Sequence, residues 1–180
     1  GLFISSWNMY GDPFGDNCFS TICHGLAIWT ITNPGTSSDG LSFAFTDTAG
    51  YILPPNADEP GCSQCIESLD TRISATPSYH NGLISFALET GINNGSQVVP
   101  GIFWGQVAPQ LNDTGALSGA FVYQSGYYFY SGDGAATFGA LMPNADGDLF
   151  MLFEFMNSSS NPGIVYTARR VTLSPGAVSY

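Results

Sequence analysis

A chain of 180 residues with 14 acidic and 3 basic side chains, a formal net charge of -11 and no lysine has no basic surface to offer phosphate, which argues against nucleic acid as a partner. The same charge repels anionic lipid, and no apolar run reaches the roughly 18 to 20 residues that span a bilayer, so no membrane insertion is expected. With 9% charged and 44% hydrophobic residues, 22 Gly and 11 Pro, the mixture favours strands joined by tight turns and fits one domain over 1–180, or a fragment of a larger one.

In chain order, apolar runs of strand length predict strands over 2–10, 25–32, 41–45, 72–79, 83–89 and 101–107. Further strands are expected over 120–124, 127–130, 136–142, 149–155 and 163–169. No apolar stripe at helical spacing persists for three turns, so the fold class expected is all-β. Asn33-Pro34-Gly35, Asn81-Gly82, Asn93-Asn94-Gly95 and Asp146-Gly147-Asp148 supply turn chemistry between these runs, Asn81-Gly82 being the clearest hairpin signal. Residues 47–70, with Pro54-Pro55 and Pro60, read as a long loop that needs a tether.

The four cysteines fall in two close pairs, Cys18 with Cys23 and Cys62 with Cys65, which predicts disulfides in an extracellular or cell-surface setting. Their Cys-x4-Cys and Cys-x2-Cys spacings also suit a four-cysteine zinc site, the alternative to that pairing. Sequons at Asn94, Asn112 and Asn157 are candidate glycosylation sites in turn-like stretches. The chain opens on Gly1 without Met, as a processed chain or a segment of a longer one would.

Residues for catalysis are sparse. Glycoside hydrolysis needs two carboxylates about 5 to 9.5 Å apart, and nothing in the spacing of Asp58, Glu59, Glu67, Asp70, Glu89 and Glu154 selects a pair. Arg72, Arg169 and Arg170 are the whole cation supply, His24 and His80 are the only histidines, and no Gly-x-Ser-x-Gly elbow exists. No catalytic residues are therefore assigned. Asn144, Asp146 and Asp148, alternating around a Gly turn, are the weak candidates for calcium, with an ordinary turn as the competing reading. Trp7, Trp29 and Trp104, with Tyr123, Tyr127, Tyr128 and Tyr130, would stack on sugar rings if exposed, or fill a core if not.

An internal repeat of about 60 residues relates 79–86 to 142–151, each a strand, a polar Gly turn and an apolar strand, followed by the aromatic runs 101–104 and 163–166. The segment from Asp70 to Ile84, with Arg72, Thr76-Pro77, Tyr79 and Asn81-Gly82, resembles a blade pattern of bacterial extracellular β-propellers. Residues 138–169 resemble the next blade, with Pro143, Asp146-Gly147-Asp148 and the closing Pro162-Gly163-Ile164, Tyr166 and Arg169. Ser131, Asp133 and Thr137 match the sialidase Asp-box, from which Ala135 and Phe138 depart. In those proteins the box is a structural hairpin away from the chemistry, so the resemblance over about 70–170 implies a fold and no activity.

A complete ring has roughly six or seven blades, so the resemblance implies a partial propeller of about three antiparallel blades; a β-sandwich or jelly roll is the alternative. The expected function is a non-catalytic extracellular structural or binding module, glycosylated and self-associating through sheet edges into a surface or filamentous assembly. The alternative is a carbohydrate-binding or glycoside-hydrolase-like propeller segment.

Overall fold

The computed structural model describes residues 1–6 and 22–174; the predicted sites Cys18 and Trp7, and part of the strand expected over 2–10, lie outside them. The described residues form twelve strands and no helix. β1 (Leu2–Ser6), β2 (Cys23–Thr32) and β3 (Gly40–Tyr51) make a first sheet. β6 (Ser78–His80), β7 (Leu83–Asn93), β8 (Val98–Leu111) and β9 (Leu117–Tyr128) make a second. β10 (Ala135–Pro143), β11 (Leu149–Asn157) and β12 (Ser160–Arg169) make a third, and β4 (Ala57–Glu59) with β5 (Cys62–Ile66) form a separate hairpin. All pairings are antiparallel, as the all-β reading requires.

The second sheet is the middle layer. Ile84, Phe86 and Leu88 of β7 and Phe103 and Val107 of β8 pack with Ile4, Leu26, Ile28 and Tyr51 of the first sheet. From the opposite face, Ala87, Ile102, Trp104 and Tyr128 pack with Leu141, Leu149, Met151 and Phe153 of the third. Strands buried on both faces lose the apolar-polar alternation of a half-solvated sheet, which is why β7 and β8 read as nearly continuous apolar runs. β1, β3 and β11 keep an alternation because only one face of each outer sheet meets a neighbour.

All four turn signals fall between paired strands. Asn81 and Gly82 both have positive φ, 49° and 81°, and His80 pairs directly with Leu83, the two-residue loop whose twist suits a hairpin. The two halves of the internal repeat occupy matching places, β6–β7–β8 and β10–β11–β12, in adjoining sheets.

Three boundaries differ from expectation. The strand predicted over 72–79 shrinks to β6, because the backbone N–H of Arg72 and its Nε both bond Asp70 Oδ1 at 2.9 Å, closing a local turn, and Pro77 has no N–H to donate. The loop expected over 47–70 holds the end of β3 and the β4–β5 hairpin, which the Cys62–Cys65 disulfide tethers. The runs 120–124 and 127–130 merge into β9, whose register slips by one residue at Tyr123, between the pairs Gln106–Gln124 and Val107–Val122.

A second bulge interrupts β10 between Thr137 and Ala140. Phe138 there takes a φ of 54°, and a Cβ on Gly139 would come within 2.9 Å of Ile102, so glycine lets β10 approach the middle sheet. The bulge turns the Gly139 N–H onto the carboxyl of Glu89 on β7, at 3.2 Å, and Ser74 Oγ bonds the same oxygen at 3.1 Å. Glu89 has no exposed surface, its Oε2 has no hydrogen-bond partner, and burial raises its pKa above the ordinary carboxyl value.

Candidate functional site: a polar cleft between the second and third sheets

At one rim of the stack, a cleft of about 230 Å³ opens between the middle and third sheets. The Asn81-Gly82 hairpin brings His80 and Asn81 to one wall, and the β10–β11 turn brings Asp146 and Gly147 to another. Gln106 of β8, Tyr123 and Gln124 of β9 and Arg169 of β12 complete the lining. The β9 bulge inserts one residue at Tyr123, and its side chain stands 54% exposed beside the buried Gln124.

The polar side chains form a partly satisfied network. Gln106 Nε2 donates to Ser85 Oγ at 3.0 Å, and Gln124 Nε2 donates to Gln106 Oε1. Arg169, 4% exposed, donates through Nη1 to the Arg170 carbonyl and through Nη2 to those of Leu173 and Ser174. No carboxylate pairs with it among the described residues, and burial lowers its pKa from the ordinary guanidinium value. His80 Nε2, Gln124 Oε1 and Arg169 Nε are buried without a hydrogen-bond partner. Unpartnered buried polar atoms are costly, and three of them belong to side chains of one cleft.

Beneath it, Trp104, Leu141, Leu149, Met151, Thr167, Ala168 and Arg169 enclose a space of about 10 Å³, close to the room for one water. The unpartnered Trp104 Nε1 belongs to that wall.

The structure distributes the other predicted site residues widely. Cys62 and Cys65 are disulfide-bonded, with Cα atoms 5.9 Å apart, and Cys23 is disulfide-bonded in the core of the first sheet. Among the described residues the one cluster of metal-ligating type is Glu59, Cys62 and Cys65, which Cys23 does not join, so the four-cysteine zinc arrangement does not form. At the calcium candidate, Asn144 Oδ1 accepts the N–H groups of Asp146 and Asp148 at 3.0 and 2.9 Å. Asp148 is bonded through Oδ1 to the Val171 N–H and through Oδ2 to Asn144 Nδ2, so the oxygens close a turn between β10 and β11.

The carboxylates sit apart in the fold: Asp58 and Glu59 on the β4 hairpin, Asp70 against Arg72, Glu89 beneath β10 and Glu154 on β11. Trp104 and Tyr128 are core residues, while Tyr130 packs on Phe153 and Phe155. The Ser131–Gly134 turn joins β9 to β10 in a different sheet, where the resemblance implied a hairpin within one sheet. There Asp133 Oδ2 accepts the Ser158 N–H at 3.0 Å, which lowers its pKa.

The three sequons differ in their bonding. Asn94 Nδ2, the atom a glycan would occupy, donates to the carbonyls of Tyr130 and Gly132 at 3.2 and 2.7 Å. Asn112 is exposed and engages only its Oδ1, with Thr114 and Ala116; Asn157 is half-buried, its Oδ1 bonded to Ser159 N–H. Expressed through a glycosylating secretory pathway, the protein is expected to carry glycan at Asn112 and none at Asn94. Peptide mass mapping checks this, and an occupied Asn94 in folded protein contradicts it.

No protein-family model, curated protein or solved structure matches this chain.

Proposed function

We propose that the chain is a non-catalytic extracellular module that builds an assembly by stacking sheet on sheet with further copies of itself. One observation carries this reading: both outer faces of the three-layer stack are apolar. On the first sheet, Phe3, Trp29 and Phe43 lie in register beside Ile31, Leu41 and Phe45, with Phe3, Leu41 and Phe43 more than half exposed. On the third, Met142, Phe150, Leu152, Ile164 and Tyr166 share the outward face, Ile164 and Tyr166 at 73% and 76% exposure.

Each patch is estimated at roughly 500 Å², large for a monomer surface and within reach of the roughly 800 Å² per partner of a stable interface once its rim is included. The occupant is a second copy, because the two patches lie on opposite ends of one stack whose internal interfaces already join apolar sheet faces. Contact between unlike faces is heterologous, so it closes into a ring if the rotation allows and otherwise grows a filament. The partial-propeller reading favours the ring. Sheet faces, more than the sheet edges considered from sequence, hold the exposed apolar area. The net charge of -11 opposes association, so added salt should strengthen it.

Sedimentation and electron microscopy test the reading. Phe43→Glu and Tyr166→Glu should each abolish growth, whereas a mixture of the two variants should form a capped pair through the one intact combination of faces. A wild-type chain that stays monomeric at high concentration and high salt overturns it.

A further inference from the structure

The rim cleft is independent of the stacking faces, and its chemistry selects a ligand. We propose that it binds a neutral, polyhydroxylated ligand the size of a single sugar ring. Arg169 Nε presents an N–H donor and Gln124 Oε1 an acceptor, both buried and unpartnered, while His80 Nε2 serves as donor or acceptor according to its tautomer. A bare anion could satisfy the guanidinium but would leave Gln124 Oε1 facing another acceptor. A hydroxyl both donates and accepts, so a ligand carrying several satisfies both kinds of atom.

Charge points the same way. Asp146 stands in the cleft wall and the chain carries a net charge of -11, both unfavourable to an anionic ligand. Tyr123, exposed on its bulge, adds an aromatic surface for the apolar face of a sugar ring, with its hydroxyl as a further polar handle. The space of about 230 Å³ is smaller than the roughly 300 to 1,000 Å³ of drug-sized pockets, which suits one ring and not a chain of them.

The test is a titration of the intact protein, by calorimetry and by amide chemical shifts, with glucose, galactose, mannose and N-acetylglucosamine, and with glucuronate and inorganic phosphate as anionic controls. Saturable binding of at least one neutral sugar is expected, in the millimolar range of a small ligand held by few contacts. Shifts should centre on His80, Tyr123 and Gln124. Gln124→Leu should weaken binding about tenfold, the effect of one lost hydrogen bond to a buried group. Tyr123→Ala, an exposed position whose loss leaves the core intact, should weaken it by a similar factor.

Binding of the anions alone overturns the proposal, as does the absence of saturable binding by every neutral sugar. Sugar binding that both variants retain at full strength places the site elsewhere and also overturns it. Because the cleft lies at the rim, Phe43→Glu, which breaks stacking, should leave sugar affinity unchanged, so the two readings fail separately.

Discussion

Phe103→Ala is expected to destabilise the protein by about 3 to 5 kcal/mol, the range for an aromatic side chain lost from a packed core. Phe103 has no exposed surface and joins two layers: its ring centroid lies 6.1 Å from Tyr51 of the first sheet and 5.8 Å from Phe86 of the middle one. On its other side, Tyr127 lies 5.2 Å away and donates its hydroxyl hydrogen bond to the Gly50 carbonyl. Truncation would leave a cavity that no single layer can close by itself. At about 2 to 4 °C per kcal/mol for a domain of this size, the melting temperature should fall by roughly 10 °C. Calorimetry reads the change directly, and a drop of less than about 1 kcal/mol would show that the layers repack freely.

Glu89→Gln is expected to act in the opposite sense and to depend on pH. Burial raises the Glu89 pKa in the folded protein above the unfolded value of about 4.3. The stability contributed by the protonated group is therefore fully present below the unfolded pKa and declines as pH rises through the folded one. Glutamine reproduces the neutral form at every pH. At pH 4 the variant and the wild type should unfold alike; by pH 8 the variant should be more stable by about 1 to 3 kcal/mol, the cost of a buried polar group left uncompensated. Denaturant titrations across that range decide the matter, and parallel stability curves would mean that Glu89 is not held in its neutral form.

Much of the architecture was legible because its signals are local. A pair such as Asn81-Gly82 specifies a hairpin through the φ values its own residues adopt, with no help from distant chain. The layering was less legible. Burial on both faces erases the period of two along β7 and β8, and the same apolar sequence serves a buried strand in any stacked arrangement. Residues 72–77 read as strand because Arg72, Ile73 and Ser74 alternate acceptably, while the Asp70–Arg72 bonds that bend the chain there depend on side-chain geometry.

The cleft was the least legible part. His80, Tyr123 and Arg169 drew notice in the sequence as a lone histidine, an aromatic and one of three arginines, without any indication that they share a wall. Gln106 and Gln124 passed unremarked. Their signal was present: each is an amide on a strand flanked by buried or apolar positions, and such a residue needs a partner inside the fold. Pairing the two amides required the β8–β9 register, which depends on a bulge that composition does not announce.

The small β4–β5 hairpin packs its Ala57 and Ile66 against Ala135 and Met156 of the third sheet, although it follows the first sheet in the chain. During synthesis this hairpin leaves the ribosome long before β11 does, and its apolar side must wait for a docking surface while the whole middle layer is made. The disulfide between Cys62 and Cys65 can keep the hairpin shaped through that interval. Arrival of the final sheet is then the step that fastens early-made chain to late-made chain, so truncation within β11 should release a region translated roughly one hundred residues before it.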